Sequence, residues 1–140
     1  MGLQLTRGGE YAVRAMTYLA RFPEGHVASL RDIGQAQEIP ESFLAKILQS
    51  LVHAGLAVSQ RGAHGGFSLA RPASQITMQQ VIEAVDGPIS VNQCVLSPED
   101  CARSASCTVH EAWLRAQGQL MEVLGSITLE SLAPKPAAVS

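Results

Sequence analysis

The three cysteines of this chain lie close together in its second half. Cys94, Cys101 and Cys107 fall within fourteen residues with the spacing C-x6-C-x5-C, and His110 follows the last of them by three positions. Thiolates are soft ligands for iron–sulfur clusters, zinc and copper(I), and a neutral imidazole can complete such a site. The pattern predicts a metal-binding sensor segment that controls the first half of the chain.

Two other interpretations of these cysteines stay open. Free cysteines are often small buried hydrophobes, although the sequence around these three is polar and rich in turn residues. The set C-x6-C-x5-C-x2-H also has the ligands of a structural zinc site, but compact zinc sites usually use C-x2–4-C spacings. Disulfides are disfavoured, because three cysteines cannot all pair within one chain and nothing indicates secretion.

Composition predicts a small globular protein with enough apolar material for a core. The chain has 140 residues, of which 46% are hydrophobic and 16% charged, enough for one domain with an appended dimerisation element. It contains no run of eighteen apolar residues and no apolar signal-peptide core. We therefore expect a soluble cytoplasmic protein with reduced thiols and no membrane contact.

The charge is unevenly distributed along the chain. Residues 1–72 carry seven Lys/Arg and five Asp/Glu, a net charge of +2, whereas residues 73–140 carry three and seven, a net charge of −4. This asymmetry is expected if only the first half meets phosphate.

Hydrophobic periodicity predicts three helices in the first half. The first covers residues 8–22, the second opens at the capping box Ser29–Asp32, and the third runs from Glu41 to His53 or Ala54. The stripe of the third helix predicted to be buried is Phe43, Leu44, Ile47, Leu48, Leu51 and Val52. Two helices joined by a short turn and packed by another are the ingredients of a helix-turn-helix.

A predicted hairpin follows the third helix. Strands at 56–60 and 67–70 flank a glycine-rich turn that carries Arg61 and His64. This order is typical of a winged helix-turn-helix, whose third helix enters the major groove of double-stranded DNA while the wing lies across phosphates. The predicted DNA contacts are Ser42, Lys46 and Gln49 on the third helix, Arg61 and His64 on the wing, and Ser29 and Arg31 at the amide end of the second helix.

The second half is predicted to contain two helices around the cysteine segment. One opens at the capping box Thr77–Gln80, a single turn follows Ser97, and a long amphipathic helix of about five turns opens at Thr108. The apolar stripe of the long helix is Trp113, Leu114, Leu120, Met121, Leu124 and Ile127. Such a helix packs on its own domain or pairs with its twin, and we favour a homodimer because symmetric operators match two-fold proteins.

The predicted architecture is mainly α with a small β-hairpin: a winged helix-turn-helix with a long C-terminal dimerisation helix. Residues 1–72 form the DNA-binding domain, residues 73–132 the cluster loop and dimerisation helices, and residues 133–140 a disordered tail.

The chain resembles the Rrf2 family of bacterial transcriptional regulators. The matching segments are Tyr11-Ala-Val13, Ala15-Met16, Ile39-Pro40, Phe43–Leu48, Leu51, Ala54-Gly55-Leu56, the wing string Arg61-Gly62-x-x-Gly65-Gly66-Phe67-x-Leu69-Ala70, the three cysteines and the long final helix. The resemblance implies a homodimer joined through the long helices. It also implies a [2Fe–2S] or [4Fe–4S] cluster on the cysteines, with DNA affinity controlled by the state of the cluster.

The resemblance leaves two candidates for the fourth cluster ligand. His110 matches the histidine of the iron–sulfur-biogenesis regulators, which are associated with [2Fe–2S] clusters. Glu10 matches the acidic residue that the partner subunit supplies in the nitric-oxide-sensing members, which can hold [4Fe–4S]. The gap of six residues between Cys94 and Cys101 is one longer than in the best-known members, so the cluster type stays open.

We therefore expect a cluster-sensing transcriptional repressor, and two other functions stay open. A regulator that uses thiols, zinc or no metal would keep the DNA-binding half and lack the cluster. An iron–sulfur electron carrier would not require a wing or a recognition helix. No nucleophile–base pairing and no nucleotide-binding loop is visible, so we expect neither an enzyme nor a small-molecule substrate.

Overall fold

The structure, a computed structural model, describes residues 6–89 and 108–133. The helices are α1 (Arg7–Ala20), α2 (Leu30–Gln37), α3 (Glu41–His53), α4 (Met78–Asp86), α5 (Thr108–Ser126) and α6 (Leu129–Leu132). An antiparallel hairpin of β1 (Ala57–Gln60) and β2 (Gly66–Leu69) follows α3, and a 3-10 turn at Ala73–Gln75 precedes α4. The predicted mainly helical fold with a small hairpin is confirmed.

The core forms where the apolar stripes of α1 and α3 meet. On α1, Ala12, Ala15, Met16 and Leu19 are buried, as the periodicity predicted, while Tyr11 lies at the edge. On α3 the buried residues are Leu44, Ile47, Leu48 and Leu51. Burial of each larger apolar side chain stabilises the fold by roughly 1.5–3 kcal/mol. Because this burial holds one face of α3 against the core, the opposite face of α3 is left towards solvent.

The same core includes residues from the second half of the chain. Ile76, Val81 and Leu129 are fully buried in one cluster with Met16 and Leu48. The packing of the described residues is therefore continuous across residue 72. The predicted boundary there stays a prediction that the two parts of the chain have different functions.

The chain returns to the core after the long helix. The Met78 amide donates to the Ile127 carbonyl at 2.8 Å, and the Leu129 amide donates to the Ile76 carbonyl at 2.9 Å. The prediction that Ile127 continues the stripe of the long helix is wrong, because α5 ends at Ser126 and α6 begins at Leu129. The return was not predicted, since a four-residue helix has too few positions to show periodicity.

Two of the predicted capping sites can be compared with the structure. Thr77 and Gln80 form the full reciprocal box at the start of α4. Ser29 makes only half of its box: its hydroxyl accepts from the Asp32 amide at 3.0 Å. A further cap, not predicted, lies at Thr6, whose hydroxyl accepts from the Gly9 amide and donates to Asp86 at 2.6 Å, joining α1 to the end of α4.

Candidate nucleic-acid interface and cysteine segment

The outer face of α3 presents the polar side chains that were predicted to contact DNA. Ser42, Lys46 and Gln49 are all exposed. They follow one another by four and three positions, so they lie along one side of the helix. Phe43, predicted to be in the buried stripe, is instead 40% exposed and packs edge-on against Tyr11 with ring centroids 5.4 Å apart.

The turn between α2 and α3 is tight. Glu38 caps α2 in the left-handed conformation (φ 54°, ψ 49°), and the Ile39 amide donates to the Gly34 carbonyl at 2.9 Å. A Cβ at Gly34 would lie 3.0 Å from the Ile39 carbonyl oxygen. Glycine at this position lets α2 approach the turn closely, which fixes the start of α3.

The start of α2 places Ser29 and Arg31 at the surface. The Ser29 hydroxyl oxygen caps the helix, and its proton stays free to donate to an anion. Arg31 is exposed in the first turn. These residues can act on a phosphate together with the free amides of the helix end.

The wing carries its cation at an exposed tip. Arg61 and His64 are exposed, and the turn is closed by a hydrogen bond from the Gly65 amide to the Gly62 carbonyl at 3.0 Å. The strands pair from Ala57 opposite Leu69 to Gln60 opposite Gly66, within one residue of the predicted ends.

The wing is attached to the residue that precedes the Ser29 cap. Ala28 exchanges two backbone hydrogen bonds with Phe67, at 2.9 and 2.8 Å. Gly66 has a φ of +157°, and a Cβ there would lie 2.2 Å from the Ala28 carbonyl oxygen. The wing is therefore hydrogen-bonded directly to the residue before the Ser29 cap, and glycine is required where the two backbones meet.

Glu10, the distant candidate for the fourth cluster ligand, lies in the first turn of α1. Its side chain is 62% exposed, and its nearest cation is the Arg14 guanidinium at 3.9 Å. Arg14 in turn donates to the backbone carbonyl of Gln37, the last residue of α2. This link was not predicted, because its acceptor is a backbone atom and leaves no side-chain signal in the sequence.

His110, the neighbouring candidate, lies in the first turn of α5 as predicted. Its Nδ1 atom is buried and has no hydrogen-bond partner among the described residues. Cys94, Cys101 and Cys107 lie outside the described residues, as does the turn predicted after Ser97. A buried imidazole nitrogen without a partner is costly unless something binds it, so His110 is suited to ligate a metal centre.

The segment between α4 and α5 starts from a fixed point. The Ile89 amide donates to the Glu83 carboxylate at 3.4 Å, and the Ile89 carbonyl accepts from the Gln117 amide group. Gln117 lies nine residues beyond the start of α5, about 14 Å along the helix axis. Ile89, the last described residue before Thr108, therefore lies beside the middle of α5.

The α5 helix has no buried residue in the single chain although it is 19 residues long. An apolar repeat with alternating steps of four and three residues runs along it: Val109, Trp113, Ala116, Leu120 and Val123. Val109 and Val123 are 58% and 53% exposed. A 3.5-residue repeat that stays in contact with solvent is typical of a helix that pairs with another helix.

Among the helices of the described segments, none combines the length and the apolar character that crossing a bilayer requires.

Comparison with known proteins places this geometry among transcriptional regulators. The model of the Rrf2 family, described as an iron-dependent transcriptional regulator, matches residues 5–135. The transcriptional regulator IscR of Xenorhabdus nematophila is 35% identical over 130 residues, which cover 93% of this chain and 79% of that protein.

Two solved structures are similar along most of the chain. CymR, the global cysteine regulator of B. subtilis, superimposes with a TM-score of 0.78 at 34% identity, covering 94% of this chain and 96% of that one. IscR of T. potens superimposes with a TM-score of 0.75 at 30% identity, covering 94% and 87%.

Proposed function

Because this chain belongs to the Rrf2 family of helix-turn-helix transcriptional regulators, we propose that it binds operator DNA as a homodimer whose affinity is set by a metal centre on the cysteine segment. The observation that carries the DNA-binding part is the exposed polar face of α3 above a buried apolar face, next to a wing tipped by Arg61. Repression follows if the operator overlaps a promoter.

The recognition helix reads bases in the major groove in this proposal. Ser42 and Gln49, with Lys46 between them, are seven residue steps apart, about 10 Å along the helix, which is the rise of roughly three base steps. Gln49 can pair with an adenine edge and Lys46 with guanine or a phosphate. Arg61 on the wing, with His64 beside it, contacts phosphates and adds affinity that does not depend on the base sequence.

Dimerisation through α5 gives the two-fold symmetry that an operator with two half-sites needs. The exposed 3.5-residue repeat from Val109 to Val123 supports pairing with a second copy. Replacement of Val123 by Asp is expected to shift the protein from dimer to monomer in sedimentation velocity. Gly118→Asp is the control and should stay dimeric, because Gly118 lies on the opposite side of the same helix and a Cβ there meets no atom within 4 Å.

The donor set suits an iron–sulfur cluster. Cys94, Cys101 and Cys107 would supply three thiolates, and either His110 or Glu10 the fourth ligand. The unpartnered Nδ1 of His110 supports the local ligand, and the exposure of Glu10 supports the distant one. When bound, a cluster supplies a centre that responds to oxidants and iron supply.

The choice of fourth ligand decides how the residues of this chain transmit the signal. His110 would order only the segment in front of α5. As a cluster ligand, Glu10 would give up its ion pair with Arg14. Arg14 holds the end of α2 through the Gln37 carbonyl. In that case the state of the centre reaches the DNA-binding helices directly.

The experiment for DNA binding is a titration of the full-length protein against duplexes selected from a random pool, at several salt concentrations. We expect Arg61→Gln to lower affinity for all sequences and to reduce the salt slope by about one. Arg71→Gln removes another exposed arginine that was assigned no contact and serves as the control. Equal affinities and equal slopes for the two variants and the wild type would show that the wing does not touch DNA.

The experiment for the metal centre is anaerobic purification with a visible spectrum and counts of iron and sulfide. His110→Ala and Glu10→Ala are compared with the wild type. Loss or change of the spectrum in one variant identifies the fourth ligand, and unchanged spectra in both exclude both candidates.

A second candidate function is a regulator controlled through its thiols without a cluster. The similarity to CymR, named a global cysteine regulator, favours it. It predicts a colourless protein without iron or sulfide even when oxygen is excluded, with DNA affinity that changes on thiol oxidation.

A further inference from the structure

A cavity of about 250 Å³ lies between α1, the end of α2 and α6. The lining residues that matter here are Arg14, Thr17, Tyr18, Arg21, Gln37 and Leu132. None of them belongs to the predicted DNA contacts or to the candidate cluster ligands.

Two guanidinium groups line this cavity. Arg14 lies on α1, and Arg21 is the C-cap residue of that helix. Their guanidinium carbons lie over the rings of Tyr11 and Tyr18, at 5.6 and 5.9 Å from the ring centroids. Stacking on a ring fixes the plane of a guanidinium and leaves its edge free to donate. Within the described segments no carboxylate forms an ion pair with Arg21, and Arg14 has only the distant one of Glu10.

The rest of the lining is largely apolar, and its two hydroxyl-bearing side chains are Thr17 and Tyr18. Tyr18 is half-buried and Leu132 is 38% exposed. Thr17 adds an exchangeable hydroxyl beside the arginines. Apolar walls with a few convergent polar groups are typical of small-molecule sites, and the volume is below the roughly 300–1,000 Å³ of pockets for drug-sized ligands.

We propose that this cavity binds a small organic monocarboxylate with an apolar body, as an effector. The carboxylate meets the guanidinium of Arg21 and competes for that of Arg14, while the apolar part lies against Tyr18 and Leu132. Bidentate pairing of guanidinium with carboxylate supplies the specificity.

The site is coupled to the DNA-binding helices through one hydrogen bond. Arg14 donates to the carbonyl of Gln37, the last residue of α2, directly before the left-handed Glu38. The last carbonyls of a helix lack partners within the helix, so a ligand that draws Arg14 away removes the donor that holds this end. The turn before α3 then loosens and DNA affinity falls. This coupling rests on the DNA-binding function proposed above, whereas ligand binding does not.

The first arm of the test measures binding without DNA. The full-length protein is titrated with hexanoate, with hexanamide as the neutral isostere, and with inorganic phosphate, by calorimetry and thermal denaturation. We expect hexanoate to bind and to raise the Tm, and hexanamide and phosphate to bind at least tenfold more weakly. Arg21→Gln should weaken hexanoate binding at least tenfold, and Arg71→Gln should leave it unchanged.

The outcomes separate the parts of the proposal. Equal binding of hexanamide, or an unchanged affinity in Arg21→Gln, overturns the carboxylate site. Phosphate binding as tightly as hexanoate overturns the apolar body and leaves a plain anion site. No heat and no Tm change up to 10 mM hexanoate, a test concentration well above about 1 mM affinity, overturns the site altogether.

The second arm measures operator affinity with and without saturating hexanoate. A fall of at least about fivefold, the lower end of usual coupling, is expected in the wild type and not in Arg21→Gln. Ligand binding with unchanged operator affinity overturns the coupling and leaves the site standing. Failure of the unliganded protein to select any operator refutes the proposed function instead.

Discussion

Replacement of Gly66 by alanine tests how the wing is attached to the rest of the DNA-binding half. The new Cβ would lie 2.2 Å from the Ala28 carbonyl oxygen and 2.6 Å from its carbon. Ordinary contacts between a carbon and a carbonyl oxygen start near 3.3 Å, so the Ala28 backbone must retreat by about 1 Å. The two hydrogen bonds with Phe67, now 2.9 and 2.8 Å long, would lengthen beyond the roughly 3.2 Å limit of a good N–H···O bond.

The cost of this substitution follows from two parts. Each lost hydrogen bond contributes about 1 kcal/mol, and alanine at the Gly66 torsion of +157° adds roughly 1–3 kcal/mol of backbone strain. We expect the free energy of unfolding to fall by about 3–5 kcal/mol, a large part of the 5–15 kcal/mol typical of a domain.

Gly62→Ala is the matched control. Gly62 also has a positive φ, +109°, but a Cβ there meets no atom within 4 Å. It should carry only the strain, roughly 1–3 kcal/mol, so the pair should differ by about 2 kcal/mol. Urea unfolding measures this difference at one protein concentration, because dimerisation makes stability concentration-dependent.

Amide hydrogen exchange gives a second measurement of the same contact. Protection of the Ala28 and Phe67 amides should be lost in Gly66→Ala and kept in Gly62→Ala. Equal unfolding free energies in the two variants, with both amides still protected, would refute the conclusion that the wing is held to the start of α2.

Two further predictions each have a control variant. Leu129→Ala should lower the free energy of unfolding by about 2–5 kcal/mol, because Leu129 is fully buried. Leu132→Ala is its control and should lower the free energy of unfolding by under about 1 kcal/mol, because that side chain is 38% exposed. Urea unfolding measures both values. Glu38→Gly should raise the free energy of unfolding by up to about 1 kcal/mol, because it relieves the left-handed torsion at φ 54°. Gln35→Gly, at an exposed helix position, should instead lower it by about 1 kcal/mol, and a fall for both would contradict the strain at Glu38.

The first half of the chain could be predicted well because its signals are local. Apolar residues at three- and four-residue steps identify α1 and α3, and Gly55, with a φ of +79°, ends α3 where a glycine is expected. The glycines of the wing mark the hairpin. Each of these features depends on neighbours in sequence, so a single chain shows them.

The parts that were missed depend on contacts distant in sequence. Leu129 is held beside Ile76 by a backbone hydrogen bond between residues more than fifty positions apart in the sequence. The sequence gives no sign that Arg14 has a structural partner, because that partner is the backbone carbonyl of Gln37. Phe43 fits the buried stripe by spacing, but it lies at the border of that stripe, where it is 40% exposed and packs against Tyr11.

The position of Leu129 in the core also sets an order of events during synthesis. Leu129 is translated twenty-two residues after Cys107, an interval of roughly 1–4 s at usual translation rates. All three cysteines have therefore been made before the last side chain of the core exists. The first 72 residues have been made as well, but their core stays unfilled until Leu129 becomes available to it.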